Sequence, residues 1–262
     1  MISRILDWFE DFVAAGGMTE PTDAARVELK RQHCLMVMAE AREQAREQNL
    51  SPRMVDLATI AGLCHDTGRF PQYQRYRTFR DADSANHAIL GTQALARHGV
   101  LDELVGRDRW LVRLSIMQHN RRELTPRLAS GEDQEALVLT RIVRDADKLD
   151  IVRVMLEQFK TRGEKDPVVF FSLPDRPRDF SPAIVDDIEA GRIGDYGAMA
   201  STNDFALLLL SWINDMAFAR TRRLYFERGY VRDLFALLPD QPRIAGLKAH
   251  IHDRFAPRSV GP

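Results

Sequence analysis

An apolar run, Leu57-Ala58-Thr59-Ile60-Ala61-Gly62-Leu63-Cys64, leads straight into His65-Asp66 and is followed by Thr67-Gly68-Arg69-Phe70. A helix that takes an imidazole and a carboxylate into the interior together has to neutralise the acid, because an unpaired buried carboxylate is costly. A metal ion with His65 and Asp66 as ligands would do so. The alternative is a satisfied core histidine beside an aspartate in the last turn. Three more histidines bear on the choice. His33, His87 and His119 fall at inward-facing or helix-terminal positions of three other predicted helices, and a later helix carries Arg144-Asp145-Ala146-Asp147-Lys148-Leu149-Asp150. Helices that each deliver one ligand to a shared core are how bundles build metal sites. Nitrogen and carboxylate donors without cysteine suit first-row divalent ions.

His33, His65, Asp66, His87, His119 and one acid near 147 are more donors than one tetrahedral ion needs. They suffice for two ions bridged by a carboxylate, a site able to activate water and clamp both oxygens of an in-line displacement at phosphorus. Asp145 and Asp147 lie about 200° apart on a helix, so only one of them points into such a site. Candidate donors to an anionic substrate are Arg69, Arg75, Arg77, Arg121 and Arg122, because arginine forks match phosphate oxygens. Lys148 adjoins the last acid. Tyr73 or Tyr76 is a candidate to stack on a base, with ordinary packing as the alternative. His98, before Gly99, reads as a helix-end residue favoured by the dipole, and His250 and His252 as surface or packing residues.

The elements that position these groups read as helices almost throughout, which makes the class all-α. One covers residues 2–15, with Ile5, Phe9 and Val13 on a common side. A second starts at Thr22 or Asp23 and runs to about 48, with Leu29, His33, Val37 and Ala41 in one stripe. Ser51-Pro52 opens a third, ending at His65-Asp66 with Gly68 as its stop. Residues 69–83 read as a loop or short irregular helix. Ser84 caps a helix ending at His98-Gly99, and another ends at His119-Asn120. After a loop at 126–133, a long helix covers about 132–160. Val168-Val169-Phe170-Phe171 is a candidate short strand within an irregular stretch. Helices follow near 182–190, 202–228, 230–238 and 242–254, and the tail 256–262 is expected to fray.

The order His33 … His65-Asp66 … Asp147 resembles the HD-domain superfamily of metal-dependent phosphohydrolases. The resemblance covers about residues 20–160 and implies an HD helical bundle, with a C-terminal helical extension at about 180–255 in a single domain of 1–262. The family's last ligand typically stands in an Ala-Asp pair, which Ala146-Asp147 matches, so the resemblance implies Asp147, with Asp145 as the fallback. Asn86-His87-Ala88-Ile89-Leu90-Gly91 and Gln118-His119-Asn120 resemble the extra histidine positions of the dinuclear branch. The stretch from His65 to His87 resembles bacterial HD proteins described as predicted hydrolases. His119 is followed by asparagine and there is no Gly-Tyr-Pro signature, so cyclic-di-GMP hydrolysis is not expected.

The resemblance implies a phosphomonoesterase or phosphodiesterase acting on a nucleotide or other small phosphorylated metabolite. Asp66 would bridge one or two ions of manganese, iron, cobalt or nickel, with magnesium or zinc as further choices. Arg69 and Lys148 would assist at the phosphate. Di-iron oxygenases of the same fold and non-catalytic metal or nucleotide sensors are the alternatives. Bulk properties agree with a soluble enzyme. The chain has 262 residues, 45% of them apolar, with a net charge of −1. That is enough for a core and gives no strong nucleic-acid signature. Two cysteines, Cys34 and Cys64, make no disulfide framework. No segment reads as a signal peptide or membrane span, and a cytoplasmic location is expected.

Overall fold

The computed structural model describes residues 1–161 and 163–257, and its regular elements among these are helices. The chain divides into two compact units, Met1–Asp150 and Ile151–Pro262. In the first, α1 (Ile2–Ala14) buries Ile5, Phe9 and Val13 at a spacing of four. Phe9 and Phe12 meet the ring of Phe70 edge-on. α2 (Pro21–Glu47) begins two or three residues earlier than the caps Thr22 or Asp23 imply, because Pro21 has its fixed φ in the first turn, where its missing N–H is no loss. Its inward stripe is His33, Val37, Ala41 and their neighbours Cys34, Gln44 and Ala45.

α3 (Pro52–Cys64) starts as expected, with Ser51 Oγ accepting from the Met54 amide at 3.3 Å. It is buried on every side from Leu57 onward, because α2 lies tightly against it. At Gly62 a Cβ would come within 2.9 Å of the Val37 carbonyl oxygen. α4 (Arg69–Tyr76) follows almost at once, then a 3-10 turn at Asp81–Asp83. Gly68 is not the expected left-handed stop: its φ is −70°. Its role is closeness, since a Cβ there would lie 1.9 Å from the His87 carbonyl oxygen.

α5 (His87–Arg97) is capped by Asn86, whose Oδ1 accepts from the Ile89 amide at 3.2 Å, and not by Ser84. Ser84 Oγ is committed elsewhere, donating to the Arg80 carbonyl and accepting from Gln72 Nε2. α5 ends before Gly99, which does take a positive φ of 61°. α6 (Gly106–His119), the short α7 (Pro126–Ala129) and α8 (Gln134–Lys160) complete this unit, α8 continuing past its boundary.

The second unit holds the end of α8 with α9 (Pro182–Glu189), α10 (Thr202–Ser211), α11 (Ala219–Glu227), α12 (Tyr230–Phe235) and α13 (Pro242–Phe255). Val168 to Phe171 is not a strand. Asp166 Oδ1 and its carbonyl draw in the amides of Val168 and Phe170, and Phe171 and Ser172 take positive φ, which closes the segment into turns. The helix expected over 202–228 is broken after Ser211 by a 3-10 turn, Trp212–Asn214, and an extended Phe218. Tyr225 Oη then ties α11 back to α10 through the Leu209 carbonyl at 2.7 Å. The expected fraying at 256–262 falls, from residue 258 on, outside the described residues. Among the described residues no helix is long and apolar enough to cross a membrane.

Candidate metal centre

Five elements converge on one buried cluster. α2 supplies His33, α5 His87, α6 His119 and α8 Asp147, while His65 and Asp66 follow the end of α3. The four imidazoles are almost fully enclosed, and their Nε2 atoms face inward in two pairs. His33 and His65 Nε2 are 3.2 Å apart, and His87 and His119 Nε2 are 3.0 Å apart. Asp66 lies between the pairs. Its Oδ1 is 3.2 Å from His87 and 3.7 Å from His119, and its Oδ2 is 3.6 Å from His33 and 3.8 Å from His65. Asp147 Oδ1 joins the first pair, 3.1 Å from His33 and 3.4 Å from His65. Asp145 is also buried on α8, but lies about 160° round the helix from Asp147.

The outer nitrogens fix the state of the rings. His65 Nδ1 faces the Gly62 carbonyl at 2.7 Å and His119 Nδ1 the Ile116 carbonyl at 2.6 Å. A carbonyl oxygen only accepts, so both Nδ1 atoms carry the proton and both Nε2 atoms present lone pairs. His33 Nδ1 donates to Asp150 Oδ2 at 2.7 Å, and His87 Nδ1 to Asp81 at 2.8 Å. Four bare nitrogens and two carboxylates thus point at one another. Donors bound at 2.0–2.2 Å to one ion lie about 3.0–3.5 Å apart, close to the separations found here. The donor set therefore fits a bound cation, and the outer partners are of the kind that orient metal-binding histidines.

Electrostatics agree. Burial alone would raise Asp66, but Lys30, Arg69 and His65 hold its carboxyl well below the usual range. Burial likewise opposes ionisation of Asp147, yet the neighbouring His33 and His65 keep its carboxyl well below the usual range. Burial, with some repulsion from His87 and His65, pushes His119 down to about 4, so it stays neutral and free to ligate. For His33, burial and Lys30 act downward, yet Asp147 and Asp150 raise it on balance.

Two cations flank Asp66. Lys30 Nζ donates to Asp66 Oδ2 at 2.9 Å, and Arg69 Nε to Asp66 Oδ1 at 3.3 Å. These side chains keep 15% and 16% of their surface exposed, and that of Asp147 14%, against 2% or less for the imidazoles. Arg69 also donates to Asp81, Gln72 and the Phe79 carbonyl. Lys148 is buried on α8 beside Asp147.

The other candidate substrate contacts are not gathered here. Arg77 is tied to Asp23 at 2.7 Å, and Arg75 lies over the Tyr76 ring. Arg121 and Arg122 are exposed, and their carbonyls accept from Arg144. Tyr73 cannot stack on a base: it is fully enclosed against Phe79, and its hydroxyl is shared by Asp23 and Arg26. Lys30, Asp81 and Asp150 were missed by sequence reasoning. Lys30 stands one turn before His33 and Asp150 one turn after Asp147, a spacing that signals a shared face. Asp81, in irregular chain, gives no such signal.

Residues 31–151 match the HD domain family, and the His/Asp cluster lies within the matched span. No curated protein and no solved structure matches the chain.

Proposed function

We propose that the chain is a metal-dependent phosphohydrolase with a two-ion centre, acting on a nucleotide or another small phosphorylated metabolite. One observation carries the reading: the two oxygens of Asp66 face different imidazole pairs, the arrangement of a bridging carboxylate. Manganese, iron, cobalt or nickel best suits these donors, with magnesium or zinc also compatible. Ions bound there supply an activated water and neutralise charge at phosphorus.

The chain's own groups do the rest. His33, His65 and Asp147 would hold one ion and His87 and His119 the other, with Asp66 between the two groups. Lys30 and Arg69, which donate to Asp66, would serve as charge-assisted donors to the non-bridging oxygens of the substrate. Burial of the imidazoles keeps bulk water from competing for the same positions.

The test is metal content of protein purified without added metal or chelator, followed by a panel of phosphomonoesters and phosphodiesters. Two equivalents per chain with metal-dependent phosphate release is the expected result. One equivalent reduces the centre to a single ion. Dominant iron with dioxygen uptake and no phosphate release overturns the hydrolase in favour of an oxygenase. Bound metal with neither reaction leaves a sensor.

A further inference from the structure

The four imidazoles are oriented by unequal means, and the difference follows from where each falls on its helix. His65 and His119 stand at helix C-termini, where the carbonyl three residues back is free to receive Nδ1–H. His33 lies mid-helix on α2 and reaches Asp150, which is 2% exposed. His87 is the first residue of α5. Its own helix has no earlier carbonyl to offer, so its ring must be held from outside.

The holder is Asp81, in the 3-10 turn between α4 and α5. Both its oxygens lie 2.8 Å from His87 Nδ1. Oδ1 also accepts from Gln72 Nε2 at 2.9 Å and Arg69 Nη1 at 3.0 Å, and Oδ2 from Asn120 Nδ2 at 3.1 Å. One carboxylate thus joins α4, α5 and the residue after α6, and its side chain is 30% exposed.

We propose that Asp81 is the positioning residue of the His87/His119 half of the centre, fixing the His87 ring for the second cation and Arg69 for the substrate. The proposal rests on the two-ion reading. It makes the second cation conditional on the 78–86 segment, which the ligands of the first, His33, His65 and Asp147, do not contact through their ring or carboxyl atoms. Outer partners of this kind typically change metal affinity 10–100-fold when removed.

The experiment titrates metal-free protein with cobalt(II), read by visible absorption and by metal content after desalting. The wild type is expected to take up two equivalents. Asp81→Ala should bind the first unchanged and the second about 10–100-fold more weakly. Asp81→Asn, whose amide oxygen still accepts from Nδ1–H, should retain both within about threefold. A purely structural role for Asp81 would weaken both equivalents alike or neither. If Asp81→Ala does not fold, Asp81→Ser serves, since its shorter side chain cannot span the 2.8 Å contact. Two equivalents of unchanged affinity in the alanine or serine variant overturn the proposal and leave the two-ion reading standing. A wild type that takes up only one overturns both.

Discussion

Gly68→Ala tests how closely the turn after His65-Asp66 must approach the start of α5. The φ of Gly68 is −70°, so alanine meets no backbone strain, and the objection is purely one of space. The added Cβ would lie 1.9 Å from the His87 carbonyl oxygen and 2.5 Å from the Gly91 amide nitrogen, where ordinary contact begins at 3.4 Å. The two segments must part by about 1.5 Å, and the atoms met are backbone, which cannot rotate aside. Overpacking typically costs 1–3 kcal/mol, and backbone overlap puts this case near about 3 kcal/mol. For a domain of this size that lowers the melting temperature by about 6–12 °C. His87 moves with its carbonyl, and misplacement of about 1 Å at a reacting site can cost on the order of 100-fold in rate. Gly91→Ala is the milder comparison at the same contact, because its Cβ would be 3.0 Å from the Gly68 amide and 3.6 Å from its Cα, so the segments need part by only about 0.4 Å. That variant also gains up to about 1 kcal/mol of helix propensity. Thermal melting followed by circular dichroism, with metal content on the same samples, reads both effects. A Gly68→Ala protein that melts with the wild type and keeps its metal content would refute the close-approach argument.

Lys30→Met removes a charge-assisted donor at the rim and should lower kcat/KM on a phosphoester about 10–100-fold with metal content unchanged. Unaltered kinetics would show that Lys30 does not meet the substrate. Asp147→Ala should deplete bound metal and Asp145→Ala should not, since only Asp147 faces the imidazoles; equal depletion would discard that assignment. Arg144→Met removes donors to the carbonyls of Gln118, His119, Arg121 and Arg122 at the end of α6. It should destabilise the protein by about 3 kcal/mol in urea titration, and a loss under about 1 kcal/mol would mean that water replaces the arginine at no cost.

Four inner groups of the centre, His33, His87, His119 and Asp147, were legible because each lies on a helix whose periodicity says which way it faces, and His65-Asp66 because the apolar run of α3 leads into them. His33 fell in the stripe of Val37 and Ala41, and His119 on the face of Val112 and Ile116. What escaped depended on chain without a period. Asp81 takes its meaning from His87, Arg69, Gln72 and Asn120, and nothing local links them. Ser84 looked like a cap because its type suits one; Gln72 and the Arg80 carbonyl claim it, and Asn86 caps instead. The Val168–Phe171 run has strand composition, but Asp166 two residues earlier captures its amides. Arg77 and Tyr73 looked like substrate contacts through their types alone, and Asp23, fifty residues away in sequence, takes both.

The stretch from Arg144 to Asp150 is ambiguous as a motif because it holds three acids in six residues, and the helix resolves it. Residues 144, 147 and 150 fall within an arc of about 120° at 100° per residue. Arg144 reaches the end of α6, Asp147 the His33/His65 pair, and Asp150 the outer nitrogen of His33. A shift of one residue in α8 would rotate all three away by about 100° and present Asp145 or Lys148 in their place. Because 134–160 contains neither glycine nor proline, no local break can absorb such a shift. The register that puts Asp147 into the cluster is thus held at three points on α8. Two of those points, Arg144 and Asp150, do not contact the imidazole Nε2 atoms.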